Sequence, residues 1–221
     1  GVVKYQSSSS DKGRTARSAL QEIADAQGDV DSYIAHYEES TLQVPKIAAE
    51  VAMRLIKASR IDEAFAVLDL AQSNNSDAKV SDWHWLNFDW EDARISALEA
   101  SHQREEAQKL RWKCFELSLS KTHLKDYLKH LPDFEDMEAE IKAFEFAQKF
   151  RHHSRALAFF INWPSLDQAS QYILTHASLL DGNHYEVLTP AAEVLAAKYP
   201  LAATLALRSM IDFTLMNARS S

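Results

Sequence analysis

Nine histidines, a single cysteine and a dense aromatic run are the places where chemistry would start in this chain of 221 residues. His123 and His130 are seven apart, two turns along one face of a helix, whereas His152 and His153 are adjacent and so diverge. No His-Glu-x-x-His occurs, and Cys114 alone cannot build a zinc–thiolate site. The histidines therefore read as surface or helix-end residues, with a His–carboxylate metal site as the weaker reading. The chain has no Gly-x-Ser-x-Gly elbow. Cys114 falls in the stripe Ala107, Leu110, Cys114, Leu117, where it reads as a small buried apolar residue and not an activated thiolate. The expectation is no catalytic residue, no metal and no cofactor.

Paired acids at Asp62-Glu63 and Glu105-Glu106 could serve acid–base work, but both pairs stand where a helix would begin, and there they favour the positive end of its dipole. Asp133, Glu135, Asp136, Glu138 and Glu140 form a denser cluster, read as a solvated helix start or, second, as a docking surface for a basic peptide. The segment Asp82-Trp83-His84-Trp85-Leu86-Asn87-Phe88-Asp89-Trp90 holds three of the five Trp. Exposing Trp is costly, so these rings must bury somewhere. One reading is a plug over the groove between helical repeats. The other is an aromatic binding pocket, with Arg94 one turn after Trp90 and Arg111 further on, because Trp and Arg are enriched at binding hot spots. A Trp90–Arg94 cation–π contact would serve either reading.

The elements that must position these residues are helices. The chain has 4 Gly and 5 Pro, against roughly 15 and 11 at average usage, so glycine-dependent phosphate loops, Rossmann fingerprints and turn-dense β-sandwiches are close to excluded. Ile61, Ala64, Phe65, Leu68 and Ala71 make one helical stripe over 61–72. Ala48, Val51, Ala52 and Leu55 make another over 46–58, and Ser59-Arg60 between them leaves room only for an antiparallel pair. Leu124, Tyr127, Leu128 and Leu131 form a further stripe, then Met137, Ile141 and Phe144. Ser165-Leu166-Asp167-Gln168 reads as a capping box, Thr189-Pro190 as an N-cap followed by an N1 proline, and Asp133 follows Pro132 ahead of an acidic first turn. No segment alternates like a strand. Residues 156–161 are apolar enough for a central buried helix. The last helix, 201–216, is apolar nearly all round, so it is either sandwiched internally or covers an interface with further chain or a second subunit.

Formal net charge is −8, which disfavours a nucleic-acid partner and an anionic membrane surface. One cysteine gives no sign of an oxidising compartment, no apolar run approaches a membrane span, and a cytoplasmic location is expected. Residues 1–14 read as a tag remnant and polar linker, and 15–221 as one helical-repeat domain cut from a longer chain.

Shifting the chain by 43 residues aligns Leu55 with Leu98, Asp62-Glu63-Ala64 with Glu105-Glu106-Ala107, and Val67 with Leu110. The small Ala lets paired helices approach closely, and one pair cannot bury its own apolar face, so pairs stack. Val51-Ala52, Leu55, Ala64, Leu68 and Ala71 resemble the tetratricopeptide repeat. The second copy departs from it, with Arg111 at the place of Leu68, and a looser third copy lies at 184–216. Trp90-Glu91-Asp92-Ala93-Arg94-Ile95, Ala107-Gln108-Lys109-Leu110-Arg111-Trp112, Tyr127-Leu128-Lys129-His130-Leu131-Pro132-Asp133-Phe134 and Leu188-Thr189-Pro190-Ala191-Ala192-Glu193 are similar to a bacterial family of uncharacterised helical-repeat proteins over roughly residues 28–219. The resemblance implies a tetratricopeptide-like fold in relatives longer at both ends, and no reaction. The expected architecture is an all-α, right-handed superhelical solenoid of about ten helices without a sheet. The expected function is a non-catalytic protein- or peptide-binding scaffold with contacts at Trp83, Trp85, Trp90, Arg94 and Arg111. Two rivals stand beside it. One is an all-α enzyme or small-ligand binder whose site, for example His84, Asp89, His123 and His130, lies between helices. The other is an oligomerisation domain using the C-terminal helix.

Overall fold

The computed structural model describes residues 19–71, 87–163 and 165–218. These are all-α: thirteen helices, eleven of them at least seven residues long, and no strand among the described residues. In chain order they are α1 (19–27), α2 (Val30–Ile34), α3 (Glu39–Leu42), α4 (Pro45–Lys57), α5 (Ile61–Leu70), α6 (Asp89–Ala100), α7 (Arg104–Ser118), α8 (Lys121–Lys129), α9 (Glu135–Gln148), α10 (His153–Asn162), α11 (Leu166–His176), α12 (Tyr185–Leu195) and α13 (Pro200–Ala218). They form two compact units. The first takes residues up to Leu110 and the second starts at Arg111, so α7 gives its first half to one and its second half to the other.

In the first unit, Pro45 occupies the opening position of α4, and Ala48, Val51, Ala52 and Leu55 are all buried, as the periodicity requires. They meet Ala64 and Leu68 of α5 and Ala93 and Ala97 of α6 in one cluster. Alanines at these positions let α5 and α6 come close to α4. The chain turns between α4 and α5 through Ser59, at φ 62°. Ser59 N–H donates to Ile56 O at 2.9 Å and Arg60 N–H to Leu55 O at 2.8 Å, a Schellman stop. After α6 the motif returns: His102 has φ 63°, His102 N–H donates to Glu99 O at 3.0 Å and Gln103 N–H to Leu98 O at 2.8 Å. The 43-residue shift thus reproduces the turn atom for atom. It also reproduces the acids at the start of the next helix, Asp62 and Glu63 then Glu105 and Glu106, although their partners differ: Glu63 pairs with the preceding Arg60 and Glu106 with the following Lys109.

In the second unit, Phe115, Leu157, Phe160, Tyr172, Ile173 and Leu195 are fully enclosed. Residues 156–161 are central, as their composition implies: Ala156, Leu157, Phe159 and Phe160 of α10 are buried. Helix α10 packs on α11 and α12, and α13 packs on α11 and α12. Two local expectations fail. Ser165 precedes α11 but its side chain makes no capping bond, and Gln168, needed for the box, instead accepts from Gln148 Nε2 at 3.1 Å. Thr189-Pro190 does not begin α12. His184 O takes the N–H groups of Val187 and Leu188, so the helix starts at Tyr185 and Pro190 lies inside it; burial of Leu188 draws the helix back past the proline. The acidic first turn of α9 is present, with Phe134 at φ 73° as its N-cap. Helix α13 is not sandwiched among the described residues. It buries Ala202, Ala203 and Ala206 and leaves Leu201, Leu207, Ile211, Leu215 and Met216 exposed.

Candidate functional site

Of the five residues expected to make contacts, Trp83 and Trp85 lie outside the described residues. Trp90 and Arg94 sit one turn apart on α6 and meet α5. The Trp90 indole N–H donates to Leu68 O at 3.1 Å, and its ring packs on the α4–α5–α6 core. Trp90 is thus partly a core plug, the first of the two readings given for it. The Arg94 guanidinium lies 4.8 Å from the Phe65 ring centroid and 5.8 Å from that of Trp90, and its Nη1 pairs with Asp69. The expected Trp90–Arg94 contact exists, with Phe65 as a nearer second ring. Asp69 is exposed and Arg94 about a quarter exposed. The result is a planar cation held between two rings at the surface of the first unit. Such a guanidinium is pre-organised for carboxylates or for backbone carbonyls.

Arg111 is corrected. It is 3% exposed, so it offers no solvent-facing contact. It occupies the helical position that Leu68 holds one repeat earlier, and that position points inward whatever residue fills it. The reason is geometric: the repeat fixes the direction of the side chain before its chemistry.

His123 and His130 are each held within their own helix. His123 is buried, its Nδ1 2.6 Å from the hydroxyl of Ser120, the N-cap of its own helix. His130 Nδ1 bonds Asp126 O at 2.7 Å. His84 lies outside the described residues and Asp89 is exposed. No group of three or more His, Cys, Asp or Glu that could hold a metal occurs among the described residues. Cys114 is buried, as its stripe implies. In the acid cluster, Glu140 accepts the Trp163 indole N–H at 2.7 Å, which gives one of its five carboxylates a structural task.

Two constellations escaped sequence reasoning. His153, at the start of α10, bonds the Tyr172 hydroxyl at 2.7 Å; His176 stacks on Tyr172 with centroids 4.3 Å apart and lies 5.2 Å from His153. Burial lowers the His153 pKa, helped by His176 and His152, and burial pushes Tyr172 up to about 12. The second is a groove between α7 and α9 around Trp112. Residues on different helices build each, so spacing along the chain carries no signal for them.

A core of short helical hairpins, with an aromatic-clamped guanidinium at the surface of the first unit, defines an all-α helical protein over the described residues. The model of a family of unknown function, DUF6880, matches residues 2–221, and the chain belongs to that family. No curated protein and no solved structure matches it. Among the described residues no helix is long and apolar enough to cross a membrane.

Proposed function

We propose that the chain is a non-catalytic scaffold that binds a protein or peptide partner, built as a tetratricopeptide-like right-handed solenoid. The observation that carries this reading is the recurrence of one helix–turn–helix unit 43 residues on, with a left-handed residue at the same place in the turn (Ser59, then His102) and a buried Ala at Ala64 and Ala107. A fold made of repeated hairpins presents side chains along a continuous surface, the usual ground for peptide recognition. In the first unit α4 packs on both α5 and α6, the neighbour and next-neighbour pattern of such stacks. Arg94, between Phe65 and Trp90, is the contact with the best-defined chemistry.

The test is affinity capture with the full chain, comparing wild type with Arg94→Ala and Asp69→Ala, each verified to fold by circular dichroism. Arg94→Ala is expected to lose specific partners that wild type retains, and Asp69→Ala to weaken them less. Identical sets in all three discard the α5–α6 surface.

A second reading has its own observation. Leu201, Leu207, Ile211, Leu215 and Met216 are exposed along α13, and apolar residues so grouped often mark an interface. Self-association would cover them. Sedimentation at several concentrations decides: a monomer throughout removes this reading.

A further inference from the structure

We propose that the groove between α7 and α9 in the second unit is a docking site for an acidic, extended peptide carrying a large apolar anchor. It has a volume of about 420 Å³. Its apolar wall is Trp112, Phe146 and Phe150. Trp112 is fixed from behind, its ring 5.2 Å from both Phe115 and Tyr127, and its indole N–H donates to Glu116 at 2.6 Å. With its ring held by these neighbours and its polar edge satisfied, Trp112 forms a fixed part of the apolar wall, and an anchor packs there with little further loss of side-chain freedom.

Charge names the rest of the ligand. Lys142, Lys149 and Arg151 line the same groove. Lys142 lies 5.0 Å over the Trp112 ring, while Lys149 and Arg151 form no ion pair among the described residues. In a chain of net charge −8, cations gathered at an aromatic groove, with no carboxylate bound to them, select a negative partner. Lys142 and Lys149 are seven residues apart, about 10 Å along a helix. They are spread along the groove and not focused at a point, so they suit successive carboxylates better than one small anion. Glu116 and Glu145 also line it. They can accept peptide N–H groups, and they leave the three cations in slight excess, which suits a few spaced carboxylates better than the dense charge of a nucleic acid. The site is built by the second unit and Arg94 belongs to the first, and it shares with the scaffold reading only the idea that the ligand is a peptide.

The experiment titrates the full chain into a fluorescein-labelled peptide of about ten residues with a central Leu among glutamates, read by fluorescence anisotropy. The same peptide with glutamines, the same peptide with lysines, inorganic phosphate as competitor and a single-stranded oligonucleotide are the other arms. The acidic peptide is expected to bind, to weaken as salt rises, and to resist phosphate. Lys149→Glu with Arg151→Glu, two exposed positions, with folding verified by circular dichroism, is expected to weaken it by roughly tenfold or more. Equal binding of acidic and lysine peptides, tighter binding of the oligonucleotide, no binding at millimolar peptide, or an unchanged affinity in the double variant overturns the proposal. Capture that depends on Arg94 reports on the first unit alone, so the failure of either idea is distinguishable from the failure of the other.

Discussion

Ser59 and His102 close the two repeated helix ends and are among the non-glycine residues held in the left-handed region. Both hold φ near +60°, a region where a Cβ crowds the following carbonyl. Ser59→Gly and His102→Gly are therefore each expected to raise stability by about 1 kcal/mol, read by urea unfolding; a loss in either would show that the side chain has a role beyond the turn. Neither turn carried the glycine that usually announces such a stop, so the helix end was legible only through the short polar Ser59-Arg60 link. His153 makes a second prediction. Its pKa is lowered in the folded protein, so the unfolded chain takes up its proton first as pH falls. The stability it contributes is complete above the ordinary value of 6.5 and drains away as pH drops from there through the lowered folded value. Melting temperature against pH is expected to fall more steeply in this window for wild type than for His153→Gln. Parallel curves would rule out the His153–Tyr172–His176 cluster as the source.

At the scale of elements, periodicity served well wherever one face met one core. Ala48, Val51, Ala52, Leu55, Ala64 and Leu68 were readable because each repeats at helical spacing and each is buried. Leu68→Ala is expected to destabilise by about 2–5 kcal/mol, since it removes a fully enclosed side chain from the cluster shared by α4, α5 and α6. Capping was less legible. Gln168 was engaged by Gln148 on another helix, a contact that no local pattern encodes. Gly182 belongs here too. A Cβ at that position would lie 2.1 Å from Ser209 O and 2.7 Å from Phe213 Cβ, so the loop before α12 rests directly on α13. Gly182→Ala is expected to cost about 1–3 kcal/mol in thermal or chemical unfolding, and a neutral outcome would mean that the loop does not rest there.

For the molecule as a whole, helix content followed from the scarcity of glycine and proline and the abundance of Ala and Leu. The candidate site was legible in half-measure. Trp90 and Arg94 are one turn apart in sequence and meet as that spacing implies, but their partners Phe65 and Asp69 come from α5, and sequence distance hides them. Arg111 showed the opposite failure: a residue type common at interfaces, on a helix face that the repeat turns inward. The central claim is that a stack of hairpins recognises its partner through helix surfaces. Hydrogen exchange on the full chain, with and without a partner retained in the capture experiment, tests it most directly. The account predicts slowed exchange in Ile61–Leu70 and Asp89–Ala100 when the partner is bound; unchanged exchange in both helices at saturating partner, with protection confined elsewhere, would contradict it.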